Sequence, residues 1–405
     1  MSSGSRQEHQ MQRITLSCLC GLLLMMTAGC SLTVQNELNT EPRQYLADHL
    51  FTAIPEQSIE TEQQIFALPD AVYHDMLRMV RPLNSSREKA DALLNYIFFL
   101  KGKRISYETN ATLTASETLA RQQANCLSLT ILAYSLASVA EMNVLFQDVI
   151  IPEYWTHVQG VSLLSGHVNL KLTGSGAKTS RGAANYEQFS YVIDFDLETN
   201  KSDFPVRVLK KPQIIAMFYN NKAAQFMIEK DYDHAFAYLK AAILTDPNSS
   251  ESWNNLAVLY RSVKHFDLAE DAYKLALQLD PESTNVKSNL ALLYMLKGET
   301  EKAEDLQRVV YIQRLDNPYY HIMLGNEAMQ MSDHQQAIKH FRYSLKLNKK
   351  ASEALAGLAK AYYQLGHAEA ARHYLLQAKK HAPSMQERGR YQSKLDSLMT
   401  ASKQH

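Results

Sequence analysis

The chain has 405 residues, room for two or three domains. Its 42 Lys and Arg balance its 42 Asp and Glu, and no basic run is long enough to follow a phosphate backbone. That balance argues against nucleic acid as a partner.

At the N-terminus, Arg13 precedes an apolar stretch, Ile14 to Met26, followed by Thr27-Ala28-Gly29-Cys30. About 13 apolar residues fall short of the roughly 20 that cross a bilayer as a helix, so the stretch reads as a targeting segment. Small residues directly before a cysteine at the end of such a stretch resemble a bacterial lipoprotein signal with its lipobox. The resemblance implies removal of residues 1–29, lipidation of Cys30 and attachment to a membrane through that lipid. Ser31 after the lipid cysteine, in place of Asp, implies the periplasmic face of the outer membrane in a Gram-negative cell envelope. Residues 1–10 are polar for such a signal, and Met11 is an alternative start. Residues 30–64 are rich in Gln, Asn, Glu and Thr and are expected to form a polar tether, with a helix around Tyr45 to Phe51.

From Phe66 to Leu100 the apolar spacing is helical. Ser85-Ser86-Arg87-Glu88 opens a segment whose core-facing stripe is Ala90, Leu93, Leu94, Ile97 and Phe98. Cys126 stands at the start of an apolar helix reaching about Ala140. Three strands are expected: Met142 to Ile151, Gly166 to Leu172 and Ser190 to Asp196, with a Gly/Ser-rich loop from Thr173 to Ala184. Of the four cysteines, Cys18 and Cys20 leave with the signal and Cys30 carries lipid, so Cys126 has no intramolecular disulfide partner. A lone thiol in an oxidising compartment is a liability unless it is buried or has a chemical role.

A cysteine at a helix start, then Gly166-His167 on a strand, then Asp194 on a later strand resembles the transglutaminase-like, papain-like superfamily. The likeness covers residues 65–206, and the run Thr114 to Leu119 upstream resembles that family's approach to its cysteine helix. It implies an α+β domain with Cys126 as nucleophile, His167 as base and acid, and Asp194 as orienter. The chemistry suits these types. A helix N-terminus favours the thiolate, an imidazole moves the proton, and a carboxylate fixes the ring. The Cys126 N–H, with Gln123 or Asn125, would form the oxyanion hole. Period two supports the assignment, since Val168, Leu170 and Leu172 alternate with His167, and Ile193 and Phe195 alternate with Asp194. Asp196 is the rival orienter, and His157, expected in a loop, is the rival base. No cofactor is called for. Gly174 to Thr179 lacks the Gly-Lys pair and following helix of a phosphate loop, and no His/Cys/Asp/Glu set has metal-ligand spacing.

The C-terminal half repeats every 34 residues, from Ala216, Ser250, Thr284, Pro318 and Ser352. The second repeat, with Trp253, Leu256, Ala257, Tyr260, Ala269, Tyr273, Ala276 and Pro281, resembles the tetratricopeptide (TPR) family. Small residues let paired helices approach, and large ones fill the space between them. The expected architecture is therefore an α+β transglutaminase-like domain followed by an all-α TPR superhelix over residues 207–383. A capping helix and tail follow over 384–405. Gln307, Val310 and Ser344 depart from the pattern, so packing is expected to loosen in the third and fourth repeats. The resemblance implies a concave groove for a protein or peptide partner, lined by Asn220, Met227, Asn254, Arg261, Met295, Met329 and Tyr363. The alternative reading is a non-catalytic scaffold with a degenerate transglutaminase-like domain.

Overall fold

The computed structural model describes residues 41–99, 105–158, 161–175, 188–194, 204–382 and 385–401. Cys30 with the rest of the expected lipoprotein signal, Asp196, and residues 176–184 of the Gly/Ser-rich stretch lie outside them.

Where a tether is expected, the described residues fold onto other parts of the chain. Short 3-10 turns at Pro42–Tyr45 and Asp48–Leu50 place Tyr45, which ends the first, and Phe51, which follows the second, against the repeats. Tyr45 meets the edge of Trp253, and Phe51 stacks on Phe236 at 4.3 Å. The Tyr260 hydroxyl accepts from Ala47 N at 2.9 Å and donates to the Tyr45 carbonyl at 3.0 Å. Further on, the Tyr238 hydroxyl donates to Glu60, and Lys222 pairs with the same carboxylate. Residues 42–60 therefore form a strap, pinned by rings and backbone hydrogen bonds that a polar composition does not reveal.

Among the described residues five α-helices precede the sheet's first long strand: α1 (Glu62–Phe66), α2 (Asp70–Val80), α3 (Ser86–Phe99), α4 (Ala115–Arg121) and α5 (Cys126–Val139). The helical stretch from Phe66 breaks between Val80 and Ser86. Ser85 then caps α3, its hydroxyl accepting from Glu88 N while Glu88 Oε2 accepts from Ser85 N. A two-residue parallel bridge joins β1 (Ser106–Tyr107) to β2 (Gln123–Ala124).

The main sheet holds β3 (Asn143–Val158), β4 (Val161–Ser175), β5 (Gln188–Ile193) and β6 (Val206–Leu209), ordered β5-β4-β3-β6 with every described pairing antiparallel. β3 and β4 run longer than expected and form one extended hairpin. Pro152 has no N–H to give a ladder, yet β3 continues past it because the register shifts between Val149 and Tyr154. His157 consequently lies on β3, paired in register with Ser162, rather than in a loop. Phe146, Leu170, Ile193 and Leu209 align across the four strands, all buried, and Phe146 stacks on Tyr134 of α5.

The repeats follow as paired helices: α6 (Lys211–Glu229) with α7 (Tyr232–Thr245), α8 (Ser250–Ser262) with α9 (Phe266–Leu279), and α10 (Thr284–Lys297) with α11 (Thr300–Arg314). They continue with α12 (Pro318–Gln330) and α13 (His334–Leu347), then α14 (Ser352–Gln364) and α15 (Ala368–His381). α8, α10, α12 and α14 begin on the four later positions that the 34-residue spacing marks. α16 (Met385–Ala401) closes the array, burying Tyr391 and Leu395 against Leu375 and Ala378.

Two glycines seat one ring. A Cβ on Gly325 or on Gly357 would come within 2.5 Å of the fully buried Phe341 ring. Gly325→Ala is therefore expected to lose about 1–3 kcal/mol to overpacking against roughly 1 kcal/mol gained in helix propensity. Gly389→Ala, on α16 with nothing within 4 Å, should show only the gain. Urea midpoints of the two variants should move in opposite directions. A raised midpoint for Gly325→Ala would mean the ring can step aside.

The core is not continuous. One buried cluster extends from the strap through the sheet and helices to Ala303, and a second begins at Ile322. Between them Gln307 is exposed where a repeat usually buries a ring, and beyond it on α13 the Ser344 hydroxyl is buried without a partner. The expected weakness is thus a seam between α11 and α12. The β3–β4 hairpin crosses it. Glu153 accepts from Arg314 Nε at 2.5 Å and Nη2 at 3.0 Å, while Thr284 Oγ1 donates to the same carboxylate and Asn317 Nδ2 to the Glu153 carbonyl. The Arg314 guanidinium lies 4.8 Å from the Trp155 ring centre. Tyr154 packs on Tyr319 and places its hydroxyl 3.5 Å from Glu353.

Candidate functional site

The thiol sits where two local features meet. Asn125, extended at φ −94° and ψ −179°, accepts from Ser128 N at 2.9 Å and starts α5, which puts Cys126 in its first turn. Ser128 then anchors the incoming chain, accepting from Leu113 N and donating to the Ala111 carbonyl. Thr114 and Glu117 form a reciprocal capping box that starts α4 just before. Cys126 is partly exposed, and its Sγ lies 3.9 Å from the Gly166 carbonyl oxygen.

Gly166 brings β4 beside the thiol, and the next residue is His167. Its Nε2 lies 2.9 Å from Asp194 Oδ1 at the end of β5, and its ring is within hydrogen-bonding reach of Cys126. His167 is 3% exposed, and the Asp194 side chain is almost as fully covered. Burial alone pulls the imidazole pKa down. The hydrogen bonds to Asp194 and Cys126 and the electrostatic interaction with both outweigh it and push the value up to about 10. The site therefore favours the protonated ring. The three residues singled out by order and spacing come together at one point.

Sequence reasoning missed a fourth residue. Asn169, two residues after His167 on β4, donates from Nδ2 to Asp194 Oδ2 at 3.0 Å and is 4% exposed. Its signal was the parity already used for His167, because residues i and i+2 share a strand face.

Of the two oxyanion candidates, Asn125 is engaged elsewhere. Its Nδ2 donates to Thr112 Oγ1 at 2.8 Å and to the Thr109 carbonyl, and its Oδ1 caps α5. Gln123 is exposed on β2 with the Cys126 N–H three residues on. Among the described residues no three His, Cys, Asp or Glu side chains lie close enough together to hold a metal ion.

The groove candidates divide in two. Asn220 accepts from Asn255, Asn254 accepts from Asn289, and Arg261 donates to the Tyr273 hydroxyl and the Asn289 carbonyl. These three link one helix pair to the next. Met227 and Met329 are partly buried against the core. Met295 and Tyr363 are open, at 55% and 48% exposure.

Models of the tetratricopeptide repeat match residues 250–283 and 328–395. The C-terminal region carries tetratricopeptide repeats. Solved structures similar to the chain include that of Pseudomonas aeruginosa pilF, at 19% identity over 48% of this chain and 93% of that one, with a TM-score of 0.29. Another is MamA, at 20% identity over 39% and 93%, with a TM-score of 0.25. A third is YrrB, a TPR protein with an unusual peptide-binding site, at 17% identity over 46% and 92%, with a TM-score of 0.23. No curated protein matches the chain. With the repeats so assigned, Asn220, Asn254 and Arg261 read as ties between successive TPR units.

Proposed function

We propose that the protein is a membrane-anchored envelope lipoprotein that holds protein or peptide partners on its TPR repeats and performs thiol acyl transfer at Cys126. The observation that carries the chemical part is the hydrogen-bonded line from Asp194 through the His167 imidazolium to a thiol in the first turn of α5. In the reaction, the Cys126 thiolate attacks a carbonyl carbon. The oxyanion is held by the Cys126 N–H and the Gln123 amide. The His167 imidazolium gives its proton to the departing amine as the carbon–nitrogen bond breaks, leaving a thioester. Water or an acceptor amine, deprotonated by neutral His167, then attacks the thioester and releases the thiol. Hydrolysis and transamidation share this intermediate. Asp194 keeps the ring in register throughout.

The alternative, a scaffold without turnover, is favoured by one fact: both family matches fall within the repeats. An activated ester separates the two readings. Incubation with p-nitrophenyl acetate should leave an acetyl group on Cys126, visible by mass spectrometry and discharged by hydroxylamine. Equal acetylation of wild type and His167→Ala would favour the scaffold.

A further inference from the structure

Asp194 has two carboxylate oxygens, and they are held by different residues. Oδ1 faces His167 Nε2 at 2.9 Å, and Oδ2 accepts from Asn169 Nδ2 at 3.0 Å. Asn169 is 4% exposed, and its own Oδ1 is buried with no hydrogen-bond partner. An unmatched buried carbonyl weakens a fold. An apolar side chain on that strand would avoid it, as Val168, Leu170 and Leu172 do beside it. What Asn169 supplies that they cannot is a donor aimed at Asp194.

We infer that Asn169 is a positioning residue for the thiol site, locking the Asp194 carboxylate so that its other oxygen stays on the His167 ring. The inference rests on the acyl-transfer reading above. A carboxylate joined to the chain by two rotatable bonds can turn away from a ring. A second hydrogen bond on the far oxygen fixes its plane. Asn169 and His167 are held two apart on one strand, so the ladder to β3, with Gln147 and Val149 opposite them, sets the spacing of both contacts. Among the described residues, the charged and titratable groups facing His167 are Asp194, directly after β5, and Cys126 from α5.

The test uses the full chain with Asn169→Leu and Asn169→Thr, the latter keeping a hydroxyl donor. Two quantities are measured: the iodoacetamide rate at Cys126 near pH 7, and the titration midpoint of the His167 ring by NMR, its signal assigned by its loss in His167→Ala. Asn169→Leu should react about tenfold more slowly, the equivalent of one hydrogen bond to a charged group, and its His167 midpoint should move down towards 6.5. Asn169→Thr should recover part of both. Thermal melts confirm that each variant is folded. If wild type is activated by His167 but the Asn169 variants match it, or their midpoint moves up, the positioning role is overturned while the triad stands. If His167→Ala leaves the wild-type rate unchanged, the acyl-transfer reading itself fails. Loss of folding in Asn169→Leu and Asn169→Thr alike would show that Asn169 serves the fold, contradicting the inference.

Discussion

Glu153→Ala is expected to destabilise the fold by about 3–5 kcal/mol, because it strands a buried guanidinium. Arg314 is 5% exposed, and its bidentate partner is the Glu153 carboxylate. Removing one member of such a pair leaves the other without a counter-charge. The position makes the loss structural as well as energetic, since the hairpin crosses the seam where the buried core divides. Hydrogen exchange should show the damage as faster exchange from Leu315 into the first turns of α12, with α14 to α16 less affected. Glu153→Met combined with Arg314→Leu replaces the pair by apolar volume and should recover most of the stability. If Glu153→Ala melts like wild type and its exchange pattern is unchanged, the hairpin does not hold the seam.

His167→Ala should be the second large effect, and its size should depend on pH. In the folded state the imidazole pKa is raised from 6.5 to about 10. A group raised on folding contributes stability that is fully present below its unfolded pKa and lost as pH rises through its folded one. Removing the ring also leaves the Asp194 carboxylate buried without its charge partner. Wild type should therefore exceed His167→Ala by about 3–5 kcal/mol at pH 6. The margin should shrink between pH 6.5 and 10. Denaturant midpoints of both proteins across that range measure it. A constant margin would mean that His167 does not carry its charge in the fold.

The repeats were the most legible part of the chain because their signal is local and periodic. A small residue every few positions, in one register, fixes where helices begin, and α8, α10, α12 and α14 begin there. The site was legible to the extent that strand parity and helix capping are local. His167 shares a face with Asn169, and Asn125 caps α5, but which carboxylate oxygen meets which donor is a matter of packing between strands. Two features were beyond pattern reading. The strap is held by Tyr45 and Phe51 meeting residues roughly 200 positions away in a tract whose composition reads as linker. The Glu153–Arg314 pair joins residues 161 apart, and nothing near either one marks the other. The seam was half legible. Gln307 marked weakened packing, but Val310 is buried, and what spans the gap comes from another part of the chain.

The proposed chemistry requires Cys126 and His167 to work as a pair. The most direct measurement is the rate of Cys126 alkylation by iodoacetamide from pH 5 to 10, in the folded protein and in His167→Ala. Wild type should react faster than free cysteine near neutrality, and His167→Ala should lose that advantage. Superimposable profiles for the two proteins, neither faster than free cysteine near pH 7, would contradict it.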